Sequence, residues 1–152
     1  MLPAALLLGI VAGLRSMLAP ALVSWFAWTG GLPVAATPLA FMGYRFTPFI
    51  LTAFALGELV VDKLPSTPSR KAPPGLIARL ITGALCGATI GAADHMLAMG
   101  FILGVTGAIA GTFGGAAARA RLATAFGRDL PAALLEDAVG LVLGILALVA
   151  IR

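Results

Sequence analysis

Apolar residues fall into five long stretches, near residues 3–29, 47–63, 75–93, 97–117 and 131–151, separated by short polar or proline-containing segments. Each approaches the roughly 20 residues that carry an α-helix across a bilayer. None shows the strict two-residue alternation of a half-buried strand. The pattern predicts an all-α, polytopic membrane protein of about five transmembrane helices in a single domain, residues 1–152. The first stretch is interrupted. Arg15 is the first charged side chain of the chain, with Gly13 just before it and Pro20 five residues after it. Pro20 has no N–H and crowds the carbonyl of Ser16, so the spacing predicts a break in the first span at Arg15. Whether the halves form one kinked helix or a re-entrant pair is open at this point.

Composition agrees with the pattern. Of 152 residues, 61% are hydrophobic and 11% charged, less than half the usual supply for covering a globular surface. The net charge is +4. In a chain this apolar, the basic residues read as topology signals, and no nucleic-acid partner is expected. The polar linker 62–75, "DKLPSTPSRKAPPG", contains Lys63, Arg70 and Lys71, with Arg79 just beyond it. Arg119, Arg121 and Arg128 lie between the fourth and fifth stretches. With five crossings both groups face one side, predicted to be cytoplasmic, and the N-terminus falls on that side too. Asp94, His95 and Arg152 fall on the other, with Trp25, Trp28 and Tyr44 near the outer interface. "APA" at 19–21 resembles a signal-peptidase site, but no Lys or Arg precedes the apolar run and Arg15 interrupts it, so the segment is expected to be retained.

Small residues recur at helix-packing intervals. Gly83, Gly87 and Gly91 repeat every four residues, as do Gly107, Gly111 and Gly115, predicting close approach of the third and fourth spans. Gly9/Gly13 and Gly140/Gly144 repeat the spacing in the first and fifth. Placing residue 1 against residue 99 matches eight positions over residues 1–33, among them Gly9, Gly13 and Pro33. Five crossings would make these possible repeats inverted, an arrangement recurrent among transporters.

The candidate chemistry is the set of charges at membrane depth, where an ionisable group costs on the order of 3 kcal/mol or more unless paired or wet. Arg15, Glu58, Asp62, Glu136 and Asp137 form the expected ion-pair network or polar pathway. Arg15 is expected to pair with Glu58, or else with Glu136. Asp62 and Asp137 are expected at the interface with Lys63, Arg79 or Arg119. Glu58 is the candidate proton- or cation-exchanging group. No metal-ligand cluster, phosphate loop or nucleophile–base pair appears in the sequence, so no catalytic residue, metal or cofactor is expected. Cys86 is alone, which precludes an internal disulfide, and His95 reads as a solvated loop residue. The leading expectation is a homo-oligomeric channel or transporter-like protein for an ion or small polar solute. A non-catalytic membrane scaffold is the alternative. A lipid-phosphate enzyme using "KLPSTPSR" is third, weakened by the presence of a single histidine.

The strings "AGLRSMLAP", "GELVVDKLPSTPSRKAPPGLIARLITGALCGA", "GAIAGTFGG" and "LLEDAV" resemble a family of small bacterial membrane proteins catalogued as a domain of unknown function. The resemblance extends over nearly the whole chain and implies a multi-span inner-membrane protein, without naming a substrate. The layout is more faintly similar to that of trimeric cation channels, at the level of fold analogy alone.

Overall fold

In a computed structural model, which describes residues 1–62 and 72–152, six α-helices and one 3-10 turn follow in order. They are α1 (Leu2–Leu14), α2 (Leu18–Trp28), the 3-10 turn (Ala40–Gly43), α3 (Thr47–Val61), α4 (Pro73–Ala93), α5 (Leu97–Phe126) and α6 (Asp129–Val149). No strand occurs among the described residues. Three helices, α4, α5 and α6, are long and apolar enough to cross a membrane. Prolines sit in the first turns of α1, α3 and α4, where a missing N–H costs nothing. Gly127, at φ +66°, ends α5 in the left-handed conformation that glycine adopts freely. The fourth apolar stretch ends at residue 117, but α5 continues to Phe126 because "AAARARLATAF" consists largely of good helix formers.

The first stretch is two helices. Arg15 is extended, at φ −139° and ψ 113°, and its N–H still donates to the Val11 carbonyl at 2.8 Å. Because α2 begins at Leu18, Pro20 falls in its first turn, where it removes no helical hydrogen bond. The chain does not merely kink at this point; it reverses. Gly140 of α6 faces Leu14 and Leu18, and Gly144 faces Val11 and Leu22. Thus α2 runs with α6 while α1 runs against it, and the pair is a hairpin with Arg15 at its tip.

This reversal corrects the expected topology. The Met1 amino group lies 3.7 Å from the Asp94 carboxylate, so the N-terminus and Asp94 share one end of the bundle. Counting the first stretch as a crossing puts them on opposite sides. Arg152 is at the same end, beside Phe26, Thr29 and Gly31. Trp25 and Trp28 pack edge-on against Phe49 at the start of α3, also at this end.

α1 is the most enclosed helix, packed on α4, α5 and α6, and Leu8, Val11 and Ala12 have no exposed surface. Glycine determines how closely its neighbours come. A Cβ on Gly87 would fall on the Gly100 carbonyl oxygen and 2.7 Å from the Gly104 Cα. A Cβ on Gly91 would stand 2.9 Å from the Gly100 Cα. The partners of Gly83, Gly87 and Gly91 are therefore Gly100, Gly104 and Ala108. Gly107 and Gly111 instead face α1, at Leu6, Gly9 and Ile10. The expected contact of Gly107, Gly111 and Gly115 with α4 is corrected: α5 presents two small-residue faces, one to each neighbour. Gly115 is buried on the same helix.

The register also bears on the possible repeat. Gly9 meets Gly104, and the Thr112 hydroxyl donates to the Gly13 carbonyl at 3.3 Å, so α1 and α5 run in the same direction. Laying residue 1 on residue 99 therefore matches α1 to a segment of α5 that is not inverted relative to it. The same offset matches α2, which runs against α1, to a segment running opposite to it. The first segment is broken at Arg15, whereas α5 is continuous over 30 residues.

Candidate functional site: the hairpin tip at Arg15

Breaking a helix inside a bundle frees backbone groups at both new ends, and each must find a partner. At Ser16 and Met17 the partner is Glu58 of α3. Its Oε1 accepts from the Ser16 N–H and hydroxyl, both at 2.8 Å, and its Oε2 accepts from the Met17 N–H at 2.8 Å. The carboxylate thus sits at the N-terminus of α2, where the helix dipole favours negative charge. On the other side of the break, the cation of Arg15 lies at the C-terminus of α1, where the dipole favours positive charge. A carbonyl end of α1 is met by Thr112 of α5 at Gly13. Both halves of the discontinuity are compensated, one by each sign.

The Arg15 side chain is 1% exposed. Its Nε donates to Asp137 Oδ1 of α6 at 2.6 Å, and its Nη1 donates to Asp62 Oδ2 at the end of α3. Its Nη2 has no hydrogen-bond partner among the described residues. The expected pairing is thereby exchanged. Glu58 and Glu136 were expected to bind Arg15, leaving Asp62 and Asp137 for the interface. Glu58 is held by the backbone N–H groups, and Asp62, one turn further along α3, reaches the guanidinium instead. Glu136 and Asp137 are adjacent and so point about 100° apart around α6. Asp137 faces the hairpin tip, whereas Glu136 lies 3.5 Å from Arg119 of α5.

Two further guanidiniums complete the cluster. Arg79 of α4 donates to the Gly75 carbonyl at 3.1 Å and lies 3.9 Å from Glu58. Arg119 grips Asp129 with two bonds, at 3.0 and 2.6 Å. All five expected residues, Arg15, Glu58, Asp62, Glu136 and Asp137, are found in this one region. Ser16, which the sequence does not single out, belongs to it as well, as do Arg79 and Arg119, which are expected as interface partners of Asp62 and Asp137. Arg79 had a signal in the sequence, as the lone charge between Pro73 and Ala93. Ser16 had none, since a serine beside a break caps equally well from either side. Lys63, Arg70 and Lys71, with the string that suggested a lipid-phosphate site, lie outside the described residues. Cys86 is buried in α4, and His95 is exposed beside Asp94.

A cavity of about 180 Å³ adjoins the tip, between α2, α3 and α6. Arg15, Glu58 and Asp137 border it at one end, and its surface is almost wholly apolar, with Leu18, Leu59 and Leu141 in the wall. Leu141 and Ala138, also in its lining, are exposed on the outer face of α6, so the cavity opens sideways from the bundle. Comparison with protein-family models, with curated proteins and with solved structures finds no match.

Proposed function

We propose that the chain is a small, multi-pass protein of the bacterial inner membrane, in line with the family resemblance, that binds or passes an ion or small polar solute at Arg15. The observation that carries this reading is a fully buried guanidinium at a helix break, bordered by a cavity and keeping one donor unused. Discontinuous helices with charged groups at their ends recur at solute sites in transporters. Arg15 bridges the carboxylates of Asp62 and Asp137. Asp137, which lines the cavity, replaces Glu58 as the exchanging group, because Glu58 is engaged by three hydrogen bonds. So few helices rarely enclose a path alone, which favours a homo-oligomer.

Flux into proteoliposomes tests this reading. Proton entry is followed with a trapped pH dye under a valinomycin-set potential, and glycerol entry by light scattering. Wild-type protein should raise one of the two rates above empty liposomes, and Asp137→Asn should lower that rate at least tenfold. Rates equal to those of empty liposomes for both probes would favour the scaffold reading. That alternative draws support from the ion pairs, which tie α1, α3 and α6 together.

Orientation is part of the proposal. The linker end, with Arg119, Arg121 and Arg128, is cytoplasmic by its Lys/Arg excess, and the N-terminus faces outward because the hairpin does not cross. In a Cys86→Ala background, Ala36→Cys should react with an impermeant thiol reagent added to intact cells, and Ser66→Cys should not. The reverse pattern would invert the assignment.

A further inference from the structure

We infer that the bilayer is thinned beside α3, so that lipid headgroups of the leaflet at the Arg15 end stand level with Arg15 and Asp62. This thinning is independent of any solute at Arg15. The partner is the phospholipid itself.

Two contacts put α3 and α6 on one scale of depth. At one end, Trp25 packs edge-on against Phe49 of α3 and borders the same groove as Leu148 and Val149 of α6. At the other, Arg15 donates to Asp62 at the end of α3 and to Asp137 within α6. The two helices are therefore level near Trp25 and level again at Arg15. Beyond Arg15 they differ. The 15 residues of α3 rise about 22 Å, and α3 ends there, with Asp62 and Lys63 next in the sequence. From Asp137, α6 extends eight residues further, to Asp129. Its exposed apolar face, from Val149 through Leu141 to Leu134 and Leu130, is about 30 Å long. That length matches the hydrocarbon core of a bilayer, and α3 falls about 8 Å short of it.

What covers α3 follows from its flanks. Phe49, Phe54, Leu56 and Val60 are each more than half exposed, in a helix packed along α2 and the 3-10 turn. Tyr44, Arg45 and Phe46 precede them, all exposed, with the Arg45 guanidinium over the Phe46 ring. Aromatic rings and snorkelling cations are what helix ends present to headgroups. The apolar face between these residues and Asp62 is therefore a lipid face, and a short one. A short face draws the bilayer thinner around it. Thinning also lowers the cost of a charge at membrane depth, and Arg15 meets Asp62 where the short helix ends.

The test is a depth measurement by electron paramagnetic resonance, with a nitroxide on Val60→Cys or Val139→Cys in a Cys86→Ala background. Each position lies two residues from its aspartate, Asp62 or Asp137, on the Trp25 side, and both are exposed. In dioleoyl phosphatidylcholine liposomes, relative accessibility to oxygen and to a nickel(II) chelate should place the Val60 label about 8 Å nearer the headgroups. In the thinner dimyristoleoyl bilayer the two depths should converge. Equal depths in the dioleoyl bilayer, or a deeper Val60 label, would mean that the membrane is not thinned at α3. A gap unchanged in the thinner bilayer would mean a tilted bundle. A Val60 label shielded from both reagents would mean that a second copy of the chain covers α3. Each of these three results overturns the inference.

Discussion

Replacing Arg15 with leucine is expected to lower the unfolding free energy by about 3–5 kcal/mol, the cost of removing one partner from a buried ion pair. The loss arises from what remains: Asp62 and Asp137 would keep their places at the hairpin tip without the guanidinium that joins them. Neutralising the acids as well, in Arg15→Leu/Asp62→Asn/Asp137→Asn, should recover much of that loss, because the stranded charge is gone. Denaturation by sodium dodecyl sulfate in bicelles, run as a mutant cycle, measures the coupling directly. An Arg15→Leu protein as stable as wild type, or a triple variant no better than the single, would show that the pairs do not hold the hairpin. Glu58→Gln is a different perturbation. The amide oxygen can still accept one of the N–H groups that Glu58 now caps, so its effect should be smaller.

Leucine at Gly87 or Gly111 is the second large perturbation. At both positions the first added carbon would occupy the place of a carbonyl oxygen, of Gly100 in one case and Ile10 in the other. Neighbouring backbone cannot rotate aside as a side chain can, so each variant should lose at least about 1–3 kcal/mol, the usual cost of overpacking. Gly57 and Gly114 provide the contrast, since a Cβ there meets nothing within 4 Å. Alanine at those two positions should be neutral or stabilising by up to about 1 kcal/mol from helix propensity. Melting curves in detergent that rank the four variants in any other order would mean the helices cross elsewhere.

The hydrophobic pattern located each helix because lipid and protein interior both demand long apolar runs, and the runs end where prolines and charges gather. It placed the break as well, since Gly13 and Pro20 flank an arginine that no unbroken apolar helix accommodates easily. Direction after the break was not legible. A kink and a reversal use the same local residues, and the choice is made by distant ones: Gly107 and Gly111 admit α1 alongside α5. That the N-terminus and Asp94 share one end of the bundle followed from that. Membership of the charged site was legible from the cost of burying each group, but pairing was not. Which of Glu58 and Asp62 meets Arg15 depends on one turn of α3 and on backbone N–H groups that exist only because the chain reverses.

The bond between Arg15 and Asp137 joins residues 122 positions apart in the chain. A ribosome adding about 5–20 residues per second delivers the aspartate some 6–24 s after the arginine. Over that interval the arginine must be accommodated without its second acid, in the headgroup region or in the insertion machinery. The break at Arg15 can then take its final form only after α6 has been made. Until then Arg15 is a permanent cation with one of its two acids still to be made.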